Sequence, residues 1–258
     1  MPRFALILML RYQLVPYNKN ERPSTPEHLM ADHAETKEPQ YDLLFDVKKK
    51  HGIARFGLMA NESWNQDPKR TLFTLSRYKF VAKMLAGRKR VLEVGCADAF
   101  GTRIVQQSVR EVTAIDFDPI FIDDVKERMN PHWPMKALVH DILQSPLAER
   151  FDAAFALDVL EHIPAEHEDR FIGNILTSLE PSGALILGMP SLESQPYASP
   201  QSKAGHVNCK SGGAFKTLLE KYFHSVFVFS MNDEVVHTGY YPMAQYLLAL
   251  ACHRKDPS

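Results

Sequence analysis

The sequence has little cysteine, and the few cysteines it has are far apart. Cys96, Cys209 and Cys252 are the only three among 258 residues, and no two of them form a CxxC pair. This spacing argues against a disulfide framework and against a structural zinc site built on cysteines. We therefore expect a chain that works in a reducing, cytosolic compartment.

Long apolar runs and an excess of one charge are also missing. The apolar run FALILML at residues 4–10 is far shorter than the roughly 20 residues that cross a bilayer. The 30 basic and 31 acidic side chains give a net charge of -1, so no overall field attracts nucleic acid or an anionic membrane. The sequence predicts no membrane partner, disfavours nucleic acid, and leaves a monomer and a homodimer open.

The glycine patterns that bind phosphates are absent as well. In LEVGCADAFGT, Gly95 and Gly101 miss the GxGxxG spacing of dinucleotide-binding folds, because Ala97 holds the second glycine's place. No GxxxxGKS or GxxxxGKT segment is present, which excludes a P-loop. LEVGCADAFGT still begins as an apolar run with an acidic residue and continues through a loop into the start of a helix. We therefore expect a loop that binds a cofactor other than a dinucleotide.

Short apolar runs alternate with helical stretches over the centre of the chain. The pattern predicts helices at 102–109, 119–129 and 166–180, after a longer one at about 67–87. Such alternation indicates an α/β domain whose parallel sheet carries helices on both faces and binds ligands at the carboxyl ends of its strands. The predicted strands are 89–95, 110–116, 136–141, 151–158, 183–189 and 225–232, and 244–254 is strand or helix, with an edge strand preferred.

The chain is predicted to divide into two parts. Residues 1–66, rich in proline and charge between 16 and 40, form an amino-terminal extension and lid, and residues 67–258 form the α/β domain. Two long loops, at about 190–210 and 230–241, are expected to shape an acceptor pocket, since long loops at this edge of a parallel sheet are usually functional.

The loop after the first predicted strand resembles the first motif of class I S-adenosylmethionine-dependent methyltransferases, E/D-x-G-x-G-x-G. The resemblance covers roughly residues 70–250 and implies a Rossmann-like, seven-stranded, mostly parallel sheet behind a helical or irregular amino-terminal lid. It also implies S-adenosylmethionine as the cofactor. The residues that fall on the motif are Glu93, Gly95, Cys96, Ala97, Ala99 and Gly101, with alanines where two glycines are usual.

Further landmarks of that family follow in the expected order. Asp116 ends the second predicted strand, where a carboxylate can accept both ribose hydroxyls. Phe117 is placed to flank the adenine, and Asp141 with Ile142 match the position near the adenine amino group. The resemblance also assigns Arg77, on the helix before the first strand, to the cofactor's carboxylate, which arginine can bind through two hydrogen bonds. A solvated surface arginine is the alternative.

The segment DVLEHI closes the fourth predicted strand with two carboxylates and a histidine. In the family, the position of Asp158 lies beside the cofactor and its transferable methyl group. DVLEHI resembles the D/ExxEH motif of the ubiquinone-pathway O-methyltransferases and of the RNA 3'-terminal ribose 2'-O-methyltransferases, the latter with a further histidine from a later loop, here His206. The resemblance implies that Asp158, Glu161, His162 and His206 hold Mg²⁺, Mn²⁺, Fe²⁺ or Zn²⁺.

Two other interpretations of this cluster stay open. An alcohol acceptor must lose its proton, so His162 or His206 is a candidate general base that works without metal, beside Asp158. Alternatively, Glu161 caps the following segment and His162 packs under the substrate loop, which makes the cluster structural.

The polar side chains of the two long loops predict the acceptor. Tyr197, Lys203, Asn208 and His237 are the candidate substrate residues, and they favour a hydroxyl-rich or charged small molecule such as a sugar or sugar-linked group. The sequence thus predicts methyl transfer to oxygen of a small polar metabolite by in-line displacement. The alternatives are N-methylation of a small molecule, a nucleic-acid or RNA ribose 2'-O-methyltransferase, and a cofactor-binding protein without catalysis.

Overall fold

The computed structural model describes residues 36–256. Contacts divide the chain into two units, Met1–Gly52 and Ile53–Ser258. In the first unit, a 3-10 turn at Pro39–Tyr41 precedes helix α1 (Leu43–His51), which ends at Gly52 with a φ of 72°. The FALILML run and most of the predicted amino-terminal extension lie outside the described residues.

The described residues of the second unit form an eight-stranded, mostly parallel sheet in the order β3-β2-β1-β4-β5-β8-β6-β7. The first five strands of this order run parallel, and β8, β6 and β7 pair antiparallel. This confirms the α/β fold class. The strands are β1 (Arg90–Val94), β2 (Glu111–Asp116), β3 (Lys136–Val139), β4 (Phe151–Leu157), β5 (Leu179–Pro190), β6 (Phe223–Met231), β7 (Val236–His237) and β8 (Tyr246–Arg254).

Two features of the sheet correct the sequence-based expectation. The strand count is eight and not seven, because the loop expected at 230–241 contributes the two-residue strand β7. Strand β8 is not an edge strand, since it lies between β5 and β6. Its Leu247, Leu248 and Ala249 are fully buried, as expected of a continuous apolar run covered on both faces.

Helices cover both faces of the sheet. The face of Val91 and Phe155 packs against α3 and α4, and the face of Leu92 and Ala154 packs against α6 and α8. Neighbouring residues of one strand thus serve opposite layers, as the two-residue period of a strand requires. The helices are α2 (Leu58–Gln66), α3 (Pro68–Met84), α4 (Thr102–Gln106), α5 (Pro119–Arg128), α6 (Glu168–Ser178), α7 (Pro200–Gly205) and α8 (Gly212–Glu220).

Local sequence signals explain where the longer helices of one face begin. Asp67 precedes Pro68 and accepts a hydrogen bond from the Lys69 amide, and Asp118 precedes Pro119 and caps α5 in the same way. An aspartate N-cap followed by proline satisfies one free amide and removes another. No helix in residues 36–256 combines the length and the apolar character that a membrane span needs.

Candidate active site

A cleft of about 1050 Å³ opens at the carboxyl ends of β1, β4 and β5. The loop after β1, the turn after β4 and the segment after β5 line it, together with α2 and α3. This is the edge at which a parallel sheet of this kind binds ligands. The cleft therefore brings the predicted cofactor loop and the predicted DVLEHI cluster into one cavity.

The loop after β1 has an unusual backbone. Gly95, Ala97 and Ala99 have φ values of 71°, 44° and 49°, in the left-handed region that costs an L-residue about 1–2 kcal/mol. A Cβ atom at Gly95 would lie 2.4 Å from Cγ2 of Val159, so this position needs glycine for space as well. The two alanines adopt the backbone that glycines usually provide in the motif, at a cost in strain.

Glu93 is buried behind this loop and supports it. Its carboxylate accepts hydrogen bonds from the Tyr78 hydroxyl at 3.0 Å and the Thr102 hydroxyl at 2.5 Å. Burial raises the pKa of Glu93 to about 8, against the lowering effect of these two hydrogen bonds. Glu93 thus joins β1 to α3 and to the start of α4, and it does not line the cleft.

Asp116 holds the same loop from the end of β2. Its two oxygens accept hydrogen bonds from the Ala97 amide at 2.9 Å and the Asp118 amide at 3.0 Å. Phe117, which follows, is 72% exposed and so leaves an aromatic face open. Asp141 accepts the Leu143 amide at 2.8 Å beside the buried Ile142, after β3. The structure thus gathers these predicted cofactor residues at neighbouring strand ends.

A segment before α3 covers the cofactor loop from the other side. Asp98 accepts hydrogen bonds from the Ala60 amide of α2 at 2.7 Å and from the Phe100 amide at 3.1 Å. The ring of Phe56 packs on those of Phe100 and Trp64, with centroids 5.0 and 5.3 Å apart. Sequence reasoning missed the role of Asp98, although an aspartate in a glycine-poor loop is a natural cap for a neighbouring helix.

Arg77 is not the solvated surface arginine that the sequence left open. It is buried, its guanidinium carbon lies 4.4 Å from the Phe73 ring centroid and 3.8 Å from that of Tyr246, and it pairs with Asp158. Burial lowers the pKa of Arg77, but Asp158, Tyr246 and Glu161 together outweigh this effect and the pKa is raised. Asp158 itself has a φ of 57°. The binding of a cofactor carboxylate by Arg77 stays a prediction.

The turn Leu160–His162 places a buried carboxylate beside two imidazoles. Glu161 is fully buried, and neither of its carboxylate oxygens has a hydrogen-bond partner among the described residues. Burial raises the pKa of Glu161 well above its usual value, and the charge of Asp158 adds to this effect. One ligand atom each from Glu161, His162 and His206 lie within 4.8 Å of one another. Asp158 lies outside this group of three.

The two histidines of this group are held by their Nδ1 atoms. Nδ1 of His162 donates to the Gly205 carbonyl oxygen at 2.9 Å, and Nδ1 of His206 lies 2.8 Å from Oε1 of Gln195. The Nε2 atoms therefore remain for a ligand. Burial, reinforced by the nearby His162, lowers the pKa of His206, which favours the neutral ring that a base or a metal ligand requires.

Comparison with known proteins identifies the fold family. Residues 92–187, from β1 to β5, match the family described as a methyltransferase domain. The chain is 27% identical over 146 residues to the ubiquinone biosynthesis O-methyltransferase of Coxiella burnetii, and 24% identical over 147 residues to the mitochondrial one of Schizosaccharomyces pombe. These matches cover 53% and 52% of this chain, and only 60% and 53% of the relatives.

A solved structure shares this fold. The N-methyltransferase NodS of Bradyrhizobium japonicum, in complex with S-adenosylhomocysteine, superposes with a TM-score of 0.56 at 21% identity, over 74% of this chain and 91% of that one. The described domain has the fold of the class I S-adenosylmethionine-dependent methyltransferases, and its residues 92–187 match the methyltransferase domain family. The methyltransferase fold was thus predicted correctly from the sequence, whereas the cofactor-binding roles of the first motif and the D/ExxEH resemblance stay predictions.

The four predicted substrate residues lie in different surroundings in the structure. Tyr197 lines the cleft and is 90% exposed, and it is the only one of the four that lines the cleft in residues 36–256. Lys203 donates to the Pro196 carbonyl, Asn208 is buried and donates to Glu168, and His237 accepts the Gly239 amide. These three side chains hold loops together and do not face the cleft.

Proposed function

We propose that the chain transfers a methyl group from S-adenosylmethionine to an oxygen of a small polar acceptor, with a divalent cation held by Glu161, His162 and His206. The observation that carries the proposal is the buried Glu161 carboxylate, whose two oxygens lack hydrogen-bond partners among the described residues while two imidazoles stand beside it. A buried bare carboxylate is costly unless a cation or a proton compensates it.

The residues at the cofactor side fit S-adenosylmethionine. When bound, this cofactor supplies an electrophilic methyl group on a sulfonium centre. Asp116 is fixed by two amides at the end of β2, and Phe117 leaves its ring exposed beside it. The left-handed backbone at Ala97 and Ala99 turns the loop tightly between β1 and α4. These residues would bind the nucleoside part of the cofactor.

The donor set of the cluster also fits a transition-metal ion. Two imidazoles and one carboxylate favour Zn²⁺ or Fe²⁺ over Mg²⁺, which prefers a shell of oxygens. Three protein ligands leave further positions open, as catalytic metal sites require. When bound, the cation supplies Lewis acidity that lowers the pKa of an acceptor hydroxyl. An acceptor with two neighbouring oxygens suits such a site best.

Side chains of the cleft would assist cation binding and removal of the acceptor's hydroxyl proton. Glu161 lines the cleft, where a bound cation would compensate its carboxylate, and Asp158 beside it is paired with Arg77. The lowered pKa of His206 keeps a basic ring available at neutral pH. If no metal binds, His162 or His206 removes the hydroxyl proton as a general base.

Metal analysis of the purified chain, paired with an activity assay, tests the proposal. Methyl transfer from labelled S-adenosylmethionine is measured to catechol and glucose as hydroxyl probes and to ethanolamine as an amine probe. We expect about one Zn²⁺ or Fe²⁺ per chain, transfer to a hydroxyl, and loss of activity on chelation that the metal restores. Full activity of metal-free protein would overturn the metal, and intact turnover of the His162→Ala/His206→Ala double variant would overturn base-assisted O-transfer.

N-methylation is the second candidate, since an amine acceptor needs no strong base. The fold likeness to the N-methyltransferase NodS is compatible with it. Transfer to ethanolamine that survives both chelation and the double histidine variant would favour this candidate over O-transfer.

A further inference from the structure

We propose that Gln195 is a positioning residue that fixes the tautomer and the ring orientation of His206. The proposal rests on the proposed function, because it gives His206 a role at the cleft. Gln195 lines the cleft and its Oε1 atom lies 2.8 Å from Nδ1 of His206. No sequence pattern distinguishes Gln195 from the other residues of the loop after β5.

The orientation of the Gln195 amide follows from its other contacts. Its Nε2 atom lies 3.0 Å from the Ser191 carbonyl oxygen and 3.3 Å from the Ser194 hydroxyl. A backbone carbonyl oxygen only accepts, so the amide nitrogen must face Ser191 and the amide oxygen must face His206. An amide oxygen also only accepts, and therefore Nδ1 of His206 carries the proton. The Nε2 atom of the neutral ring is left with its lone pair.

The residue that orients Gln195 is itself firmly anchored. Ser191 is fully buried directly after β5, its hydroxyl donates to the Ala244 carbonyl at 2.5 Å, and its amide donates to the Gln245 carbonyl at 3.0 Å. Both partners come from the short segment before β8. Gln195 thus links the position of His206 to two neighbouring strands of the sheet, although His206 itself lies on a long loop.

The partner histidine provides an internal comparison. Nδ1 of His162 donates to the Gly205 carbonyl, a backbone group, and a Cβ at Gly205 would lie 3.2 Å from the His162 ring. Both rings therefore present Nε2 lone pairs, but backbone fixes one ring and a side chain fixes the other. Only the His206 tautomer should respond to a substitution at Gln195.

The direct test reads the tautomer in metal-free and cofactor-free protein. Proton–nitrogen correlation spectra of chains with labelled histidine, recorded at pH 8, distinguish Nδ1–H from Nε2–H rings. We expect His206 in the Nδ1–H form in the unmodified chain and in Gln195→Glu, whose carboxylate also accepts. In Gln195→Leu we expect a shift towards Nε2–H, the form that an unconstrained imidazole favours in water, while His162 stays Nδ1–H. Gln201→Leu, at another glutamine that lines the cleft, is the matched control.

A second readout is the affinity for Zn²⁺, titrated into the apo-protein. Loss of a group that orients a metal-ligating histidine typically costs about 10- to 100-fold in metal affinity. We expect such a loss in Gln195→Leu, a smaller loss in Gln195→Glu, which keeps the acceptor for His206 but loses the donor to Ser191, and no change in Gln201→Leu.

Two outcomes would overturn the proposal. An Nε2–H ring at His206 of the unmodified chain contradicts it without any variant, so a folding defect in Gln195→Leu cannot hide the answer. An unchanged tautomer in a folded Gln195→Leu variant contradicts it equally. If the unmodified chain binds no Zn²⁺ but His206 shows the Nδ1–H form, the metal proposal fails and the positioning role of Gln195 stands.

Discussion

The two sides of the cleft hold their carboxylates in opposite ways. On the cofactor side, Glu93 accepts two hydroxyls and Asp116 accepts two amides, so both carboxylates are satisfied by the protein. On the acceptor side, Glu161 is fully buried, and its oxygens have no hydrogen-bond partner in the described chain. The carboxylates of the proposed cofactor side thus have partners within the chain, whereas Glu161 on the proposed acceptor side has none among the described residues.

The two sides also differ in how they are assembled. The proposed cofactor side draws on the short loop at residues 95–101 and on the adjacent end of β2 at Asp116. The acceptor side joins the turn after β4 to the loop after β5, where the Val207 and Asn208 amides donate to the Glu161 carbonyl. The hydrogen bonds of Glu93 and Asp116 join residues at most 19 positions apart, whereas the hydrogen bond between His162 and Gly205 spans 43 positions.

The largest expected effect follows from substitution of Glu161, the carboxylate without a hydrogen-bond partner among the described residues. Glu161→Gln keeps the shape of the side chain but removes its charge. Because Glu161 is itself a proposed metal ligand, Zn²⁺ affinity and hydroxyl methylation should fall by more than about 100-fold, whereas loss of a residue that only contacts a metal ligand costs about 10- to 100-fold. Calorimetric Zn²⁺ titration and turnover measure this loss. Glu62→Gln, at a cleft-lining glutamate of α2, serves as the control. If the Zn²⁺ affinity of Glu161→Gln stayed within about threefold of that of the unmodified chain, Glu161 would not be a metal ligand.

The second largest effect is expected on cofactor affinity when Asp116, whose carboxylate accepts two amides, is replaced. Asp116→Ala frees the Ala97 amide and removes the ribose acceptor, so affinity for S-adenosylhomocysteine should fall about 10- to 100-fold, as hydrogen bonds to a charged group contribute about 1.5–3 kcal/mol. Calorimetry measures this change, with Asp118→Ala as the neighbouring control. Unchanged affinity in Asp116→Ala would show that the cofactor side does not depend on this residue.

A pH dependence follows from the buried Glu93. Its pKa is raised from 4.5 to about 8 in the folded chain, so the folded state holds a proton that the unfolded state loses. The free energy of unfolding should therefore decline as pH rises from about 4.5 to about 8 and level off above. In Glu93→Gln this contribution disappears, and the fall in Tm of cofactor-free protein between pH 5 and pH 9 should be smaller. An equal fall in both proteins would refute the assignment.

The smallest effect is expected at the strained alanine. Ala97 has a φ of 44°, and glycine relieves the left-handed strain of about 1–2 kcal/mol but adds about 0.4–1 kcal/mol of unfolded-state entropy. Ala97→Gly should therefore raise the free energy of unfolding by up to about 1 kcal/mol in urea titrations. Ala60→Gly, inside α2, should instead lower it. A clear loss of stability in Ala97→Gly would mean that the methyl group packs usefully.

Sequence reasoning succeeded where neighbouring residues carry the information. The strand that ends at Asp116 and the helix that follows Asp118 were predictable, because alternation, an N-cap and proline are local signals. The placement of Lys203, Asn208 and His237 was not, since their polar partners are chosen by how the loops fold back. The interior place of β8 was missed for a similar reason, because strand order does not follow chain order.

The sequence by itself determined the alternating strands and helices, the methyltransferase motif and the candidate Glu161, His162 and His206, because these depend on residue types at short spacing. Only the tertiary structure decided that Arg77 is buried against Asp158, that Glu161 has bare oxygens, and that Gln195 meets His206. Burial and hydrogen-bond pairing depend on which distant segments meet at the sheet edge, and no local pattern specifies that meeting.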